Sequence, residues 1–500
     1  MNSPVGLSRR DFARYVLAGS AVSLSALEKL SAGIAQSITS LNQKYLEDEA
    51  PDGVYWEEIR NFYQFEDRFI MMNNGTLGPM PKPVFNALTR YFRVQMTNPY
   101  DGYNYLPTFK EAVRGKLAAF IHASPDEVSL TSNTTEGINL IVNGLDMKEG
   151  DEVLVTSLEH PGHINPWRLK EKRSGIKITQ APMPLFPKNA QEIVDAFAAA
   201  ITPRTKIISI SHTVFITGLI MPLKELSRLA HDKGLLILAD SAHGIGMLDL
   251  NMKELGIDFF MSSPYKWLGA PTGIGLLYVR KEALDKVWPT IVSSGWDTTP
   301  SASKLDPQGQ RSDAFVLALD DALNFQNWIG RSRIERRIKV LAGRLKQEVG
   351  KIPGVKLHTP IDPYLSAGLT AFSMAGVDGS KLVDYLREKH NLVIRTTGSK
   401  EAGTTAYVSP LRSMSRQKKW TWSSTGSGRS CPIKLDEREY APRLAAGNRS
   451  SGDPRGYGPL VAGRGSMPRP RKGGRSRSRR PRRAGSCQPG KNHRRSPGEP

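Results

Sequence analysis

Three short runs of aliphatic and β-branched residues in the first half of the chain each lead to a titratable side chain. The side chains at their ends are, in chain order, His160, His212 and Asp240. Segments with helical spacing separate the runs, among them residues 223–233. Strands that alternate with helices predict a parallel sheet covered on both faces. Because ligands bind beyond the carboxyl ends of the strands in such sheets, we expect the three side chains to gather at one site.

A lysine and an aspartate at strand ends suggest the chemistry of that site. Lys266 follows the apolar run 259–261 and lies 26 residues beyond Asp240. A lysine amine can hold pyridoxal phosphate as a Schiff base, and a carboxylate can keep the pyridine nitrogen of this cofactor protonated. The alternative is that Lys266 is a solvated surface charge and Asp240 a turn or cap residue. The pair alone leaves both interpretations open.

Residues 130–140 have the pattern of a phosphate-binding site, in which backbone N–H donors surround the phosphate group. Thr134 and Thr135 precede apolar residues at helical spacing. The free N–H groups and the positive end of a helix attract anions, and the two hydroxyls add donors. The alternative interpretation is an ordinary helix N-cap.

Together these motifs resemble those of the class V aminotransferase family of fold-type-I pyridoxal phosphate enzymes. The likeness is greatest to its isopenicillin N epimerase-like branch, and the cysteine desulfurases are more distant. It runs from about Met71 to about Thr405, with five motifs in the family's order. The resemblance implies an α/β fold with a mainly parallel seven-stranded sheet, helices on both faces and a smaller α+β lobe.

The resemblance also implies roles for individual residues, motif by motif. Lys266 is expected to bind the cofactor and to move protons, and Asp240 to pair with the ring nitrogen. His160 is expected to stack on the ring, and His243 to face its phenolic oxygen. Thr134, Thr135 and Ser263 are expected to contact the phosphate. Tyr265, where the family often has histidine, is expected to contact the cofactor, and Asn74 and Arg395 are expected to contact the substrate.

The predicted substrate is an amino acid or a small peptide, and the bond that reacts is at its α-carbon. Epimerisation, transamination and β-elimination all begin with removal of the α-proton, and the sequence does not choose among them. Desulfurases take sulfur from the substrate with a mobile cysteine thiol. Because the cysteines of this chain, Cys431 and Cys487, both lie in its tail, we expect no desulfurase activity.

The expected architecture is a large cofactor lobe at 100–320 and a small lobe that combines 45–99 with 321–410. About 360 ordered residues can bury a large core and commonly form two domains. Within the small lobe, we expect a helix at 341–349 and strands within 355–375. Family resemblance implies a homodimer with the active site at the subunit interface.

Other classes of function fit the sequence less well. A metal-dependent hydrolase could use a cluster of strand-end side chains, namely His160, His163, His212, His243 and Asp240. It would leave Lys266 and the helix start at Thr134 without roles. A dinucleotide site at 244–246 lacks its third glycine, because Asp249 stands there. A non-catalytic binding protein is the remaining alternative.

The N-terminus has the pattern of a twin-arginine export signal, which we assign to residues 1–35. Arg9 and Arg10 precede a moderately apolar stretch at 15–27, and small residues at 33–35 are suitable for cleavage. The apolar stretch is too short for a stable membrane span, which needs about 20 apolar residues. We therefore expect the first forty residues to lie outside the fold, and the export machinery to carry the folded enzyme to the periplasm.

The net charge of +21 is concentrated at the C-terminus. Residues 411–500 have a net charge of +18, which leaves +3 for residues 1–410. This tail is rich in Gly and Pro and has few periodic apolar positions, so we predict that it is disordered. Its basic stretch at 471–480 would bind polyanions without sequence preference, and we expect no specific nucleic-acid function.

A shift of reading frame explains the tail. In the shifted frame, each new codon consists of the last base of one present codon and the first two bases of the next. Read in this way, residues 417–426 permit an acidic sequence with the apolar spacing of a helix. At the end of the family's chains, an acidic helix of this kind follows an Arg-Val-Ser-Pro strand. Our hypothesis is that the frame slips shortly before Tyr407, which then stands where the family has an arginine that binds the substrate carboxylate.

Overall fold

The computed structural model describes residues 24–45, 53–66, 68–293, 296–306, 309–397 and 404–407. The strands in these ranges are β1 (Ile70–Met71), β2 (Val128–Thr131), β3 (Glu152–Val155), β4 (Lys177–Gln180), β5 (Thr205–Ser211), β6 (Leu236–Asp240), β7 (Phe259–Ser262), β8 (Gly275–Val279), β9 (Val355–Leu357), β10 (Leu369–Met374), β11 (Leu392–Val393), β12 (Arg395–Thr396) and β13 (Thr404–Tyr407). The α-helices are α1 (Leu24–Lys44), α2 (Val54–Arg60), α3 (Lys82–Thr97), α4 (Pro99–Tyr105), α5 (Lys110–Phe120), α6 (Thr134–Gly144), α7 (Pro161–Ser174), α8 (Ala190–Ala200), α9 (Leu223–Asp232), α10 (Met252–Leu255), α11 (Pro264–Trp267), α12 (Asp313–Ile329), α13 (Arg331–Gly350) and α14 (Gly379–His390).

A seven-stranded sheet has the strand order β2-β8-β7-β6-β5-β3-β4. The neighbours from β4 to β7 pair in parallel, and β8 runs antiparallel to both β7 and β2. Successive residues of its strands contact cores on opposite faces: Phe259 and Met261 pack in one apolar cluster and Phe260 in the other. Burial on both faces explains the continuous apolar runs in the sequence. The predicted mainly parallel seven-stranded α/β sheet is confirmed.

A second, four-stranded sheet has the order β12-β13-β10-β9 and is antiparallel throughout. The predictions of a helix at 341–349 and of strands within 355–375 are confirmed by α13, β9 and β10. The backbone of Tyr407 pairs with Leu369 at the edge of β10. The division into lobes stays a prediction, and the predicted basic tail lies outside the described residues.

The helix α1 corrects one expectation about the N-terminus. It continues through residues 33–35, where a cleavage site is predicted, and its later residues pack on the body of the protein. Ile38 is fully buried, and Asn42 donates a hydrogen bond to the Trp328 carbonyl and accepts one from the Tyr55 hydroxyl. The prediction that the first forty residues lie outside the fold is therefore wrong for this segment, because α1 completes an apolar cluster. None of the described helices is both long enough and apolar enough to cross a membrane.

Candidate active site

Neighbouring parallel strands end at one edge of the large sheet and bring the predicted acid and amine together. In the sheet, Ser211 at the end of β5 pairs with Asp240 at the end of β6, and Asp240 pairs with Met261 of β7. The Asp240 carboxylate is buried and accepts a hydrogen bond from the Ala242 N–H at 3.1 Å. The short helix α11, which carries Lys266, follows β7 directly.

The turn that carries Lys266 is held by its own backbone and by a distant segment. The Lys266 N–H donates to the Ser263 carbonyl at 3.0 Å, and the Gly78 N–H donates to the Tyr265 carbonyl at 2.9 Å. A Cβ atom on Gly78 would overlap the Lys266 carbonyl. Only glycine allows this approach. The segment that contains Gly78, four residues after Asn74, therefore lies against the lysine turn.

The Lys266 side chain is partly buried. Burial lowers its pKa to about 8; Asp240 opposes this shift, and Arg395 adds to it. Arg395 lies on β12, where its Nε donates to the Thr396 carbonyl at 3.2 Å. At neutral to mildly alkaline pH a substantial fraction of the amine is therefore unprotonated and able to act as a nucleophile or base.

His160 caps the N-terminus of α7 beside these groups. Its Nδ1 accepts a hydrogen bond from the Gly162 N–H at 3.0 Å, and Phe215 packs edge-on against its ring at 5.0 Å. Burial lowers its pKa; Asp240 opposes this shift, while Lys266 adds to it. The ring is therefore largely neutral at pH 7, and a neutral flat ring can stack on an aromatic cofactor.

The residues predicted to bind the phosphate lie where α6 meets the lysine turn. Thr134 Oγ1 lies 2.7 Å from Ser263 Oγ, and the Thr134 N–H donates to the same Ser263 oxygen at 3.2 Å. A Cβ atom on Gly162 would lie 2.9 Å from Thr135 Oγ1, so this hydroxyl lies against the start of α7. Hydroxyl groups and the positive end of an eleven-residue helix thus meet at one place.

A buried network at Glu159 fixes the segment that carries His160, and the sequence predictions assign it no role. Glu159 Oε2 accepts hydrogen bonds from the Ser211 N–H and hydroxyl, both at 2.7 Å, and lies 2.8 Å from His163 Nδ1. Burial raises the pKa of Glu159, but the His163 charge and the hydrogen bonds outweigh it and hold that pKa below its usual value. Glu159 precedes the N-cap of α7 and His163 lies in its first turn, so the signal that could have revealed this pair is an acidic side chain just before a helix start that contains a histidine.

Two more histidines follow the sheet edge, and they differ in position. His243 is buried close enough to Lys266 and His160 for both to influence its pKa, which burial lowers well below its usual value. His212 turns away: its Nδ1 lies 2.7 Å from Ser241 Oγ, and its ring packs on Phe260. His212 therefore lies at the same sheet edge as Asp240, where its backbone N–H donates to the Asp240 carbonyl at 2.7 Å and its ring supports the turn after Asp240. A role for its side chain in the reactive site stays a prediction.

The sequence offered two alternative sites, a metal centre and a dinucleotide site. Among the described residues, no group of three or more His, Cys, Asp or Glu side chains is arranged to hold a metal ion. His163 Nε2 instead lies 2.7 Å from Ser209 Oγ. Gly246, in the weak dinucleotide motif, has φ +82°, and a Cβ there would overlap the backbone of Leu268. Gly246 therefore allows the backbone after Asp240 to pack closely against the lysine turn.

Asn74 presents a polar atom that needs a partner. Its side chain is almost fully buried, and no donor within the described part of the chain reaches its Oδ1 atom. Buried polar atoms without partners are rare and often mark a ligand site. A bound group with an N–H or O–H donor would satisfy this oxygen.

These residues fit pyridoxal phosphate. The helix start and hydroxyls suit its phosphate, the buried carboxylate suits its ring nitrogen, and the low-pKa lysine suits its aldehyde. With the mainly parallel sheet, this arrangement defines the chain as a fold-type-I, pyridoxal phosphate-dependent enzyme.

The family profile for Aminotransferase class-V matches residues 71–424, and the chain belongs to this family. The match extends past the limit near Thr405 set by the sequence motifs. The isopenicillin N epimerase of Streptomyces clavuligerus is 30% identical over 354 residues, which cover 67% of this chain and 89% of that protein. A probable cysteine desulfurase of Methanothermobacter thermautotrophicus is 27% identical over 355 residues, covering 68% and 86% of the two chains.

Solved structures agree with the fold. The apo cysteine desulfurase of Thermococcus onnurineus has a TM-score of 0.65 and 24% identity, with 72% of this chain and 94% of that chain covered. A variant of the lyase C-DES, solved with glycine covalently linked to its pyridoxal phosphate, has the same TM-score with 23% identity, covering 70% and 95%. At these identities the likeness concerns the fold alone.

Proposed function

We propose that this enzyme removes and returns a proton at the α-carbon of an amino acid or small peptide, as an epimerase or an aminotransferase. The observation that carries the proposal is the Lys266 amine, with its pKa near 8, beside the buried Asp240. The 30% identity to an isopenicillin N epimerase supports it.

The positions of these side chains support the proposed cofactor contacts. Thr134, Thr135 and Ser263, at the start of α6 and the lysine turn, would hold the phosphate. Asp240 would pair with the ring nitrogen, and His160 would cover one face of the ring. His243 and Tyr265 would supply the remaining contacts. Bound pyridoxal phosphate supplies a ring that accepts the electrons left on the substrate carbon when a proton departs.

The proton is moved by the lysine. Lys266 Nζ, when unprotonated, takes the α-proton and later returns it to carbon. Arg395 binds the substrate carboxylate, and the Asn74 amide oxygen accepts a hydrogen bond from the substrate amine or its neighbour. Fixing the substrate between these groups orients the breaking bond.

Absence of a thiol separates this proposal from the desulfurases among the relatives. Residues 1–430 contain no cysteine, so no nucleophilic sulfur can come from that part of the chain. β-Elimination needs no enzyme thiol and therefore stays the second candidate. It would use the same Lys266 and Asp240, followed by loss of a substituent from the β-carbon.

Solvent deuterium exchange tests the proposed function. The holoenzyme is incubated in D₂O with L-amino acids and with dipeptides, and deuterium at the α-carbon is measured by mass spectrometry and NMR. We expect exchange with at least one substrate, accompanied by the D-isomer for an epimerase or by an oxo acid for an aminotransferase. Exchange absent from every substrate, with pyruvate released from cystine or cysteine, would show a lyase instead.

We propose that two copies associate around the site. Exposed apolar side chains support this, including Phe85 and Met96 on α3 and Trp288 and Ile291 beyond β8. Monomeric proteins seldom expose many large apolar side chains without a partner. The mass measured by light scattering distinguishes a dimer from a monomer.

We also propose export by the twin-arginine machinery to the periplasm, supported by the paired arginines near the N-terminus. The cofactor is bound in the cytoplasm, so transport of a folded protein suits an enzyme of this class. The proposed boundary at residue 35 falls inside α1, and Ile38 and Asn42 beyond it pack on the body. Cleavage would therefore shorten a helix and leave these contacts in place.

Replacing Arg9 and Arg10 by lysine should leave the protein in the cytoplasm, because export machinery of this type reads the arginine pair. Fractionation followed by immunoblotting measures the distribution. The matched control replaces Arg168 and Arg173, exposed residues of α7, by lysine, and it should be exported like the parent. Normal export of the Arg9 and Arg10 variant would remove the proposal.

The frame shift before Tyr407 is a further proposal, supported by the basic, Gly- and Pro-rich composition of residues 411–500. The missing arginine is a charge-assisted partner for the substrate carboxylate, typically worth about 1.5–3 kcal/mol. Restoring the frame should therefore tighten substrate binding roughly tenfold to a hundredfold, and should raise the midpoint of thermal unfolding. Steady-state kinetics and calorimetry on both proteins measure these changes. A restored protein with the same KM and the same unfolding midpoint would contradict the hypothesis.

A further inference from the structure

Trp267 directly follows the reactive lysine and contacts a proposed cofactor ligand. Its indole Nε1–H donates a hydrogen bond to His243 Nδ1 at 3.2 Å, and both side chains are buried. An indole nitrogen can only donate, so this bond requires an unprotonated Nδ1 on His243. In a neutral imidazole, the proton must then be on Nε2.

We propose that Trp267 is a positioning residue that holds His243 in its Nε2–H tautomer, so that His243 presents a fixed hydrogen-bond donor to the phenolic oxygen of pyridoxal phosphate. The inference rests on the cofactor site proposed above and adds a residue to it. In the other tautomer, His243 would direct a lone pair at that oxygen. The tautomer therefore decides between attraction and repulsion.

The environment of His243 makes the tautomer matter. Burial lowers its pKa well below the usual value, and the charges of Lys266, His160 and Arg395 lower it further. The ring is neutral at pH 7 and carries a single N–H. The two tautomers of a free imidazole lie close in energy, so one neighbouring hydrogen bond selects between them.

Trp267 is itself held by packing from the C-terminal part of the fold. A Cβ atom on Gly368 would overlap the indole ring, and Ile338 of α13 lies at the same place. The Trp267 carbonyl accepts a hydrogen bond from the Gln326 side chain at 2.8 Å. Glycine at 368 thus leaves room for the indole, and the surrounding contacts fix the direction of its N–H.

The test measures the tautomer and the affinity for the cofactor separately. Nitrogen NMR of the full chain labelled with ¹⁵N-histidine, with and without pyridoxal phosphate, reports which nitrogen of His243 is protonated; His243→Gln identifies its signals. We expect Nε2–H in the parent and a mixture of tautomers in Trp267→Phe. The same variant should raise the dissociation constant of pyridoxal phosphate about fivefold to tenfold.

Two variants separate positioning from packing. Trp167→Phe also removes a buried indole donor, which bonds to Ser209 Oγ at 2.9 Å, and should leave the His243 tautomer unchanged. The second variant removes the tautomers: a glutamine amide has its donor and its acceptor on different atoms, so Trp267 has no tautomer to select. In a His243→Gln background, Trp267→Phe should therefore change the dissociation constant of pyridoxal phosphate less than about twofold.

Nδ1–H in the parent enzyme overturns the inference even if Trp267→Phe does not fold. An equal loss of affinity in the His243 and Gln backgrounds also overturns it, because that result assigns Trp267 to packing alone. A parent enzyme that binds no pyridoxal phosphate refutes the cofactor site itself, whereas a parent that binds it with the wrong tautomer refutes only the role of Trp267.

Discussion

Lys266→Ala should abolish covalent attachment of pyridoxal phosphate and lower turnover by roughly a hundredfold to ten-thousandfold, the range for loss of a general acid and base. The reason is that in the proposed mechanism this amine serves both as the attachment point and as the group that moves the α-proton. Reduction with borohydride followed by mass spectrometry measures attachment. In the parent protein the rate of attachment should rise with pH through about 8, because burial lowers the lysine pKa to that value and only the unprotonated amine attacks.

Lys346 is a matched control for this variant. Burial lowers its pKa to about 8 as well, and its amine donates to the Pro360 carbonyl at 2.9 Å and to Ser366 Oγ at 2.6 Å. Lys346→Ala should therefore reduce stability while leaving attachment at Lys266 complete. A borohydride-stable adduct that persists in Lys266→Ala and disappears in Lys346→Ala would reverse the assignment.

The large sheet could be predicted because each of its strands is indicated by a short stretch of sequence. A nearly continuous apolar run, such as residues 207–210 of β5, is typical of a strand that helices cover on both faces. The position of Asp240 beside the strand that precedes Lys266 could also be predicted, because the carboxyl ends of parallel strands meet at one edge of the sheet. These predictions required no knowledge of distant contacts.

Other parts of the site depend on contacts that sequence patterns do not encode. His160 and His212 both follow apolar runs, yet the His160 ring accepts a hydrogen bond from the Gly162 N–H and the His212 ring bonds to Ser241. The apolar runs themselves indicate neither partner. The contact of Trp267 with His243 joins residues 24 apart with no periodic relation.

The N-terminal helix shows a different limit. Its composition resembles an export signal, a pattern that concerns transport and not packing. Burial of Ile38 depends on the apolar surface offered by α2, which follows closely, and by α12, which lies far along the chain. A sequence pattern for targeting therefore does not exclude a structural role for its last residues.

Asp240→Asn should keep much of the bound pyridoxal phosphate but lower turnover about a hundredfold to thousandfold, as for loss of other preorganised charge-stabilising groups. The amide retains an oxygen that can accept the Ala242 N–H, while it removes the negative charge that keeps the ring nitrogen protonated. Phosphate contacts and Lys266 remain, so binding should weaken less than catalysis. Absorbance titration measures binding, and initial rates at saturating substrate measure turnover.

Asp258 provides the matched carboxylate at the opposite end of the strands. It precedes β7, is fully buried, lies 2.8 Å from the Arg280 guanidinium and accepts the Ile237 N–H at 2.9 Å. Asp258→Asn should lower the free energy of unfolding by roughly 1–3 kcal/mol because it weakens charged hydrogen bonds, with turnover unchanged at a temperature where both proteins are folded. Equal losses of turnover in the Asp240 and Asp258 variants would show that the effect is general destabilisation. A loss confined to Asp240→Asn assigns the carboxylate at the end of β6 to the reaction.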